Sequence, residues 1–184
     1  MGDVTELLRR AREDDRGAID QIVAIVYPDL RRMAHARLAQ NDTITLLDAT
    51  SMVHEVYERL QKAARIEAES RAQFMAYASQ AMRSVIVDFA RKRRADRRGG
   101  GVANVTLATE ILDGSQSTDD DIERVDDALK ELETTDPRLK QVVEMRFFGG
   151  LTEVEIAEAL GVTERTVRRD WERAKILLSV SLRR

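Results

Sequence analysis

The sequence predicts an all-α protein made of two small helical domains joined by a flexible linker. Apolar residues recur at three- and four-residue spacing through most of the chain, which is the pattern of amphipathic helices. No segment alternates convincingly between apolar and polar residues, and residues 99–121 are rich in Gly, Ser, Thr and Asp without a periodic apolar face. We therefore place the first domain at residues 1–98, the linker at residues 99–121 and the second domain at residues 122–184.

Composition and motifs narrow the possible functions. The 184 residues contain no cysteine, which excludes a disulfide framework, a thiolate metal site and a cysteine nucleophile. We find no signal peptide and no run of eighteen or more apolar residues, so we expect a cytoplasmic protein without membrane contact. A phosphate-binding glycine loop and catalytic motifs are also missing, and the two histidines stand alone. We expect no enzyme activity, no metal and no cofactor.

Charge is segregated along the chain, although the net charge is only −3. Residues 91–98 carry six positive charges and one negative charge, whereas residues 113–133 carry nine acids and two bases. A basic patch can face nucleic-acid phosphates despite the acidic average. The acidic segment is expected to stay away from phosphate or to meet a basic protein partner.

The first domain begins with two amphipathic helices, which we place at residues 4–12 and 17–40. The second contains Pro28, which lacks a backbone hydrogen-bond donor. We therefore expect a kink or the beginning of a new segment at this position.

A third helix is predicted to begin near Asp48, where the sequence Asp-Ala-Thr-Ser offers several capping side chains. Helical spacing assigns its buried face to Met52, Val53, Val56, Tyr57 and Leu60. The same spacing directs His54, Glu55, Glu58 and Arg59 outward.

A long helix follows at residues 74–94. It begins with Phe74 and Tyr77, continues with apolar residues and ends in a cationic run, which suits the dipole of a helix C-terminus as well as phosphate. A helix that begins with aromatic residues and ends in a cationic run can hold the bases and the backbone of a melted DNA strand. Core packing is the preferred interpretation for Phe74, while Tyr77 is compatible with packing and with base contact.

The second domain is predicted to begin with a helix near Ile122. Another helix follows Asp136-Pro137, since proline is favourable in a first helical turn, and the glycines at 149 and 150 end it. Residues 151–175 then have the pattern of a helix-turn-helix. A capping box formed by Thr152 and Glu155 begins the first helix, and Gly161 ends it.

The last predicted helix, which Thr163 is placed to cap, has an apolar face and a basic face. Val167, Trp171, Ala174 and Leu178 recur at helical spacing, so we assign Trp171 to the core. The candidate DNA readers lie on the other faces, and they are Glu164, Arg165, Thr166, Arg168, Arg169 and Arg173. Arginines in the N-terminal half of such a helix suit the major groove. The alternative is an ordinary helical hairpin with a solvated basic face.

Taken in order, these segments resemble a bacterial sigma factor of the extracytoplasmic-function (ECF) type, the compact class with only two structured domains. The resemblance covers nearly the whole chain. Its first part is Asp48-Ala-Thr-Ser-Met-Val-His-Glu-Val-Tyr-Glu-Arg-Leu60, and its second is Phe74-Met-Ala-Tyr77 with Arg83, Asp88 and the basic run. Its third part is Arg146-Phe-Phe-Gly-Gly-Leu-Thr-Glu-Val-Glu-Ile-Ala, continuing to Thr166-Val-Arg-Arg.

The resemblance implies that the first domain docks on core RNA polymerase and opens the promoter at its −10 element, while the second reads the −35 element. Asp48, His54 and Glu55 match positions that face the clamp coiled coil of the large catalytic subunit. The promoter-opening set is Tyr77, Arg83, Ser84 and Asp88, with Arg91, Lys92, Arg93 and Arg94. The −35 set is Arg165, Thr166, Arg168, Arg169, Arg173 and Lys175. The family usually has tryptophan and asparagine in place of Tyr77 and Ser84, so the resemblance leaves the downstream sequence preference open.

The chain departs from the family at the beginning of the clamp-facing helix. The usual pattern there is Asp-Ala followed by two acids, and this chain has Thr50 and Ser51 instead. A phosphoryl group would restore negative charge at a helix N-terminus, where the dipole favours it. We therefore expect a Ser/Thr protein kinase to activate the protein at Thr50 or, second, at Ser51. The alternative is that these two residues only cap the helix.

Two further expectations complete the interpretation. The free protein is expected to be a monomer. The alternative function is a stand-alone helix-turn-helix regulator that binds an operator without being a polymerase subunit. The first domain distinguishes the two, because residues 74–98 suit single-stranded DNA better than a ligand pocket or a dimerisation seam.

Overall fold

The computed structural model describes residues 2–13, 15–39, 48–63, 66–96 and 118–182. Within these ranges the protein is all-α, as predicted, and has no β-strand. Four helices form the first part: α1 (Gly2–Arg12), α2 (Arg16–Ala39), α3 (Ala49–Lys62) and α4 (Arg71–Asp96). The second part contains α5 (Asp119–Thr135), α6 (Pro137–Val143), a π-helical turn (Glu144–Phe148), α7 (Glu153–Leu160) and α8 (Glu164–Leu182).

Helix boundaries follow local capping chemistry. Thr118 and Asp121 form a capping box at the beginning of α5, which therefore begins at Asp119 rather than near Ile122. A second capping box, formed by Thr152 and Glu155, begins α7 as predicted. Gly161 ends α7 with a φ of 64°, in the left-handed region that glycine adopts without steric cost. The other residues of the predicted linker, 99–117, lie outside the described residues.

Pro28 lies inside α2 and does not begin a new segment, because the helix continues from Arg16 to Ala39. Proline removes only one backbone hydrogen-bond donor, and the packing of neighbouring side chains compensates for this loss. Ile22, Leu30 and Met33, on either side of the proline, are all buried in the core. Burying each of these side chains stabilises the fold by roughly 1.5–3 kcal/mol, which is comparable to the local cost of the proline.

The two parts of the chain pack against each other. Helix α4 contacts α5, the π-helical turn and α7, so the buried side chains form one continuous cluster. Gly149 lies so close to α4 that a Cβ at this position would collide with the Oγ of Ser79. Phe74 and Trp171 are both buried, as predicted. None of the described helices is both long and apolar enough to cross a membrane.

Candidate polymerase and nucleic-acid interfaces

The predicted polymerase-binding residues lie together on an exposed side of α3. The set comprises Asp48, Thr50, Ser51, His54 and Glu55, and every member is exposed. Asp48 is the N-cap of α3, since its Oδ1 accepts a hydrogen bond from the backbone N of Ser51 at 2.8 Å. Hydrogen bonds from the backbone of Ser51 and Thr50 hold the pKa of Asp48 below its usual range. Asp48 therefore caps α3, a role for which Thr50 and Ser51 were also candidates.

Thr50 lies at the edge of a shallow cavity of about 360 Å³ between α2 and α3. The other lining residues are Asp20, Val23, Ala24, Tyr27, Val53, His54 and Tyr57. Tyr57 is half-buried and donates a hydrogen bond to Asp20 at 2.8 Å. No lysine or arginine lines this cavity among the described residues, so a charge added at Thr50 would not be neutralised by this lining.

The predicted promoter-opening residues are held by side chains of other helices. The guanidinium of Arg59, which was expected to point outward, turns toward α4 and donates hydrogen bonds to Ser84 at 2.5 Å and to Asp88 at 2.7 Å. Tyr77 is half-buried and lines a cavity that also involves Glu144 and Leu160 of the second part. This face of α4 is therefore engaged in intramolecular contacts.

Arg83 forms the centre of a partly buried ionic cluster between α4, α5 and the π-helical turn. Its guanidinium lies 2.8 Å from the carboxylate of Asp126 and also pairs with Glu144. Desolvation opposes ionisation of Asp126, but hydrogen bonds from Lys130 and Arg83 outweigh it and lower the pKa of this carboxyl. Burial raises the pKa of Glu144 although Lys140 and Arg83 lie nearby.

The cationic run at the end of α4 pairs with the acidic beginning of α5. Arg91 lies 2.9 Å from Asp126, and Arg94 lies 3.1 Å from Glu123 and 3.3 Å from Asp120. Arg93 lies 3.6 Å from Asp119, while Lys92 is exposed. The acidic segment was expected to stay away from phosphate or to meet a basic protein partner. In the structure, Asp119, Asp120, Glu123 and Asp126 pair with a helix of the same chain.

The predicted −35 residues lie on α8 beside a cluster that connects the π-helical turn, α7 and α8. Glu153 accepts hydrogen bonds from Arg168 at 2.8 Å and from Arg146 at 3.1 Å. These bonds hold the pKa of Glu153 below its usual range. The guanidinium of Arg146 also lies over the ring of Trp171, 4.6 Å from its centroid. Arg168 thus has a defined orientation at the beginning of α8.

The other members of the −35 set differ in exposure. Arg165, Arg169 and Arg173 are exposed, whereas Thr166 and Lys175 are partly buried. The hydroxyls of Thr166 and Thr163 lie 3.0 Å apart, and the backbone N of Thr166 donates a hydrogen bond to Thr163. Thr163 thus caps α8, as the sequence predicted.

The residues of these interfaces that were not singled out as site residues from the sequence include Arg59, Asp126, Glu144 and Glu153. The opposite charges of residues 91–98 and 113–133 were a usable signal for the pairing of α4 with α5, because ionic faces of one chain can pair when the fold brings them together. No comparable pattern indicated Arg59, whose partners lie 25 and 29 residues away.

A family model described as "ECF sigma factor" matches residues 1–184, which is the whole chain. A search of curated proteins finds no significant match.

Proposed function

The chain belongs to the ECF sigma factor family, and we propose that phosphorylation at Thr50 or Ser51 switches it on. As a member of this family it is a transcription initiation factor that binds core RNA polymerase and promoter DNA and directs promoter-specific transcription.

In this proposal, the exposed side of α3 binds the clamp coiled coil of the large catalytic subunit. Asp48 and Glu55 supply negative charge, but Thr50 and Ser51 are neutral where the family usually has two acids. Neutral hydroxyls cannot replace charge-assisted hydrogen bonds to a basic surface. The unmodified protein is therefore expected to bind core polymerase weakly.

The observation that supports the switch is the capping of α3 by Asp48. Because Asp48 already accepts the hydrogen bond from the backbone of Ser51, the helix does not depend on the exposed hydroxyl of Thr50 for its cap. Thr50 remains in the first turn, where a phosphoryl group would add a charge of about −1.5 to −2 in the favourable field of the helix dipole. The absence of lysine and arginine from the described lining of the neighbouring cavity leaves that charge available to a partner.

The DNA contacts in this proposal are divided between the two parts of the chain. Residues 1–98 hold the melted −10 strand through the promoter-opening face of α4 and its cationic run. Residues 122–184 place the N-terminal half of α8 in the major groove of the −35 element. The base-facing candidates are Arg165, Thr166, Arg168, Arg169 and Arg173, with Lys175 toward phosphate.

A reconstitution tests the switch without knowledge of the kinase. Core polymerase lacking any sigma factor is mixed with the wild-type chain, with Thr50→Ala, with Thr50→Glu, or with a chain carrying phosphothreonine at position 50. We expect promoter-directed transcripts from the phosphorylated chain, partial activity from Thr50→Glu and little activity from Thr50→Ala. A second chain carrying phosphoserine at position 51 is compared with the first, and the more active form identifies the acceptor.

Thr134→Glu is the matched control, because Thr134 is an exposed helical threonine that lies outside α3. It adds the same charge and should not raise transcription. Equal activity of the unmodified protein and all Thr50 variants would contradict the switch. Operator binding without any association with core polymerase would instead favour the stand-alone regulator.

A further inference from the structure

The charged side of α5 pairs with the arginines of α4 to which promoter opening is assigned. Arg83, Arg91 and Arg94 each have a nitrogen within 3.3 Å of a carboxylate oxygen of α5. Arg83 also pairs with Glu144 of the π-helical turn. A carboxylate on an arginine offers the same charge-assisted hydrogen bonds as a DNA phosphate. The arginines cannot bind both partners at once.

Three further contacts continue this interface beyond the ion pairs between α4 and α5. Arg37 of α2 is buried and its guanidinium lies 3.8 Å from the centroid of the Phe147 ring. Burial lowers the pKa of Arg37 to about 9, so this guanidinium stays cationic at neutral pH. Arg32 of α2 pairs with Glu155 of α7 at 2.9 Å, and Gly149 packs against Ser79. The two parts therefore meet along a continuous surface that combines apolar and ionic contacts.

From this arrangement we infer that the acidic side of α5, formed by Asp119, Asp120, Glu123 and Asp126, competes with promoter DNA for the cationic face of α4. The free protein is closed by its own second part, and α4 becomes accessible to DNA when α5 moves away. This inference rests on the proposed assignment of promoter opening to α4.

Binding to both promoter elements also requires the two parts to separate. The names of the elements place them roughly 25 base pairs apart, which is on the order of 80 Å at 3.4 Å per base pair. In the closed structure α4 packs directly against α5 and α7. The polymerase-facing side of α3 is exposed in the same structure, so docking on polymerase does not require prior opening.

Charge neutralisation in α5 provides the first test. Glu123→Gln combined with Asp126→Asn removes the acidic partner of Arg91, one of the two acidic partners of Arg94 and one partner of Arg83. The control is Asp127→Asn with Glu131→Gln, which changes the net charge equally. The described side-chain partners of these two residues, Lys130 and Ser181, are not in α4.

Binding of the free, full-length chain to a DNA duplex with a single-stranded segment is measured by fluorescence anisotropy over a range of salt concentrations. We expect the first variant to bind on the order of tenfold more tightly at low salt, with a log–log salt slope steeper by about 1 to 2, because Arg91 is released to reach phosphate and Arg94 is held by one carboxylate fewer. The control variant should show a much smaller change. Equal effects of the two pairs would overturn the inference, since only overall charge would then matter.

A reversible covalent lock provides the second test. A Cβ built at Gly150 would lie 3.3 Å from the Cβ of Ala36, which is near the separation that a disulfide requires, and the chain has no other cysteine. The oxidised double variant Ala36→Cys with Gly150→Cys is expected to bind the same DNA at least tenfold more weakly than its reduced form. The Gly150→Cys single variant controls for the strain of replacing Gly150, whose φ is +61°, and the Ala36→Cys single variant controls for the other substitution.

Both tests use free protein and DNA, so their outcome does not depend on core polymerase or on phosphorylation at Thr50. If the locked and reduced forms bind the DNA equally well, the closed state does not compete with DNA. That result would overturn the inference even if sigma activity is established. Failure of the disulfide to form would overturn it too, because the closed state requires these two positions to be in contact.

Discussion

At the scale of single residues, two different residues at the beginning of α3 have a structural role and a candidate regulatory role. Asp48 provides the cap, whereas Thr50 is exposed in the first turn. The two side chains are only two positions apart, yet the loss of each should have a different consequence. Stability depends on the first, and polymerase binding in the proposed mechanism depends on charge added at the second.

The first prediction concerns the free energy of unfolding of variants at these two positions. Asp48→Ala should lower the free energy of unfolding by about 1 kcal/mol, the typical cost of losing an N-cap, whereas unphosphorylated Thr50→Ala should change it by less than about 0.5 kcal/mol. Urea denaturation followed by circular dichroism provides the measurement. A larger loss from Thr50→Ala than from Asp48→Ala would show that Thr50 contributes to the cap.

The pKa shift of Asp48 adds a pH dependence to the same experiment. Because the pKa of this carboxyl is lower in the folded protein than in the unfolded chain, its contribution is present above the unfolded pKa. The contribution is lost as the pH falls through the folded pKa. The difference between wild type and Asp48→Ala should therefore be largest at neutral pH and should disappear in acid.

The second prediction concerns the arginines of α8. If Arg168 or Arg169 contacts a base edge, its replacement by alanine should cost roughly 1–3 kcal/mol of binding and relax specificity at one position of the −35 element. An arginine that contacts only phosphate should weaken binding to all sequences alike. Affinities for a set of single-base variants of the element distinguish the two, and Val154→Ala, at an exposed apolar position of α7, is the control.

At the scale of elements, the junction between α4, α5 and the π-helical turn depends on one arginine. Arg83 is mostly buried and is shared by Asp126 and Glu144. Removing one partner from a buried ionic cluster leaves uncompensated charge in a poorly solvated site. This junction is thus more sensitive to loss of a single partner than the exposed ion pairs of the first part.

The third prediction follows from that difference. Arg83→Met should destabilise the protein by about 3 kcal/mol, because two buried carboxylates lose a partner. Arg71→Met removes an ion pair to Asp29 in which the arginine side chain is half exposed, and it should cost no more than about 1 kcal/mol. Thermal and urea unfolding of both variants provide the comparison, and equal losses would contradict the special role of Arg83.

At the scale of the whole molecule, the apolar and ionic contacts between the two parts predict a compact free protein. Phe147 and Phe148 are buried against the rest of the fold, and no gap separates the core of the first part from that of the second among the described residues. When such contacts form, they determine the distance between the two parts, and the linker alone does not.

The fourth prediction is the size of the free chain in solution. A compact chain of 184 residues has an expected radius of gyration of about 16 Å. Small-angle X-ray scattering at low salt should give a value close to this for the wild-type chain. The variant Glu123→Gln with Asp126→Asn should give a larger radius, while a wild-type radius already typical of two separated bodies would contradict the closed arrangement.

The sequence by itself was sufficient for the features that depend on neighbouring residues. Helical periodicity predicted the all-α fold and the burial of Phe74 and Trp171, and the spacing of Thr152 and Glu155 predicted the beginning of α7. Gly161 predicted its end. These features are accessible from sequence because their hydrogen bonds and steric constraints involve residues within one or two helical turns.

Only the tertiary structure decided which charged faces meet. Arg83 reaches Asp126 and Glu144 across 43 and 61 residues of sequence, and Arg59 reaches α4 across 25 or more. A helical pattern identifies which face of a helix is polar, but it does not identify the element opposite that face. That choice depends on how the apolar faces of all the helices pack together, and this packing turns a cationic run suited to DNA into one that is paired with the chain's own carboxylates.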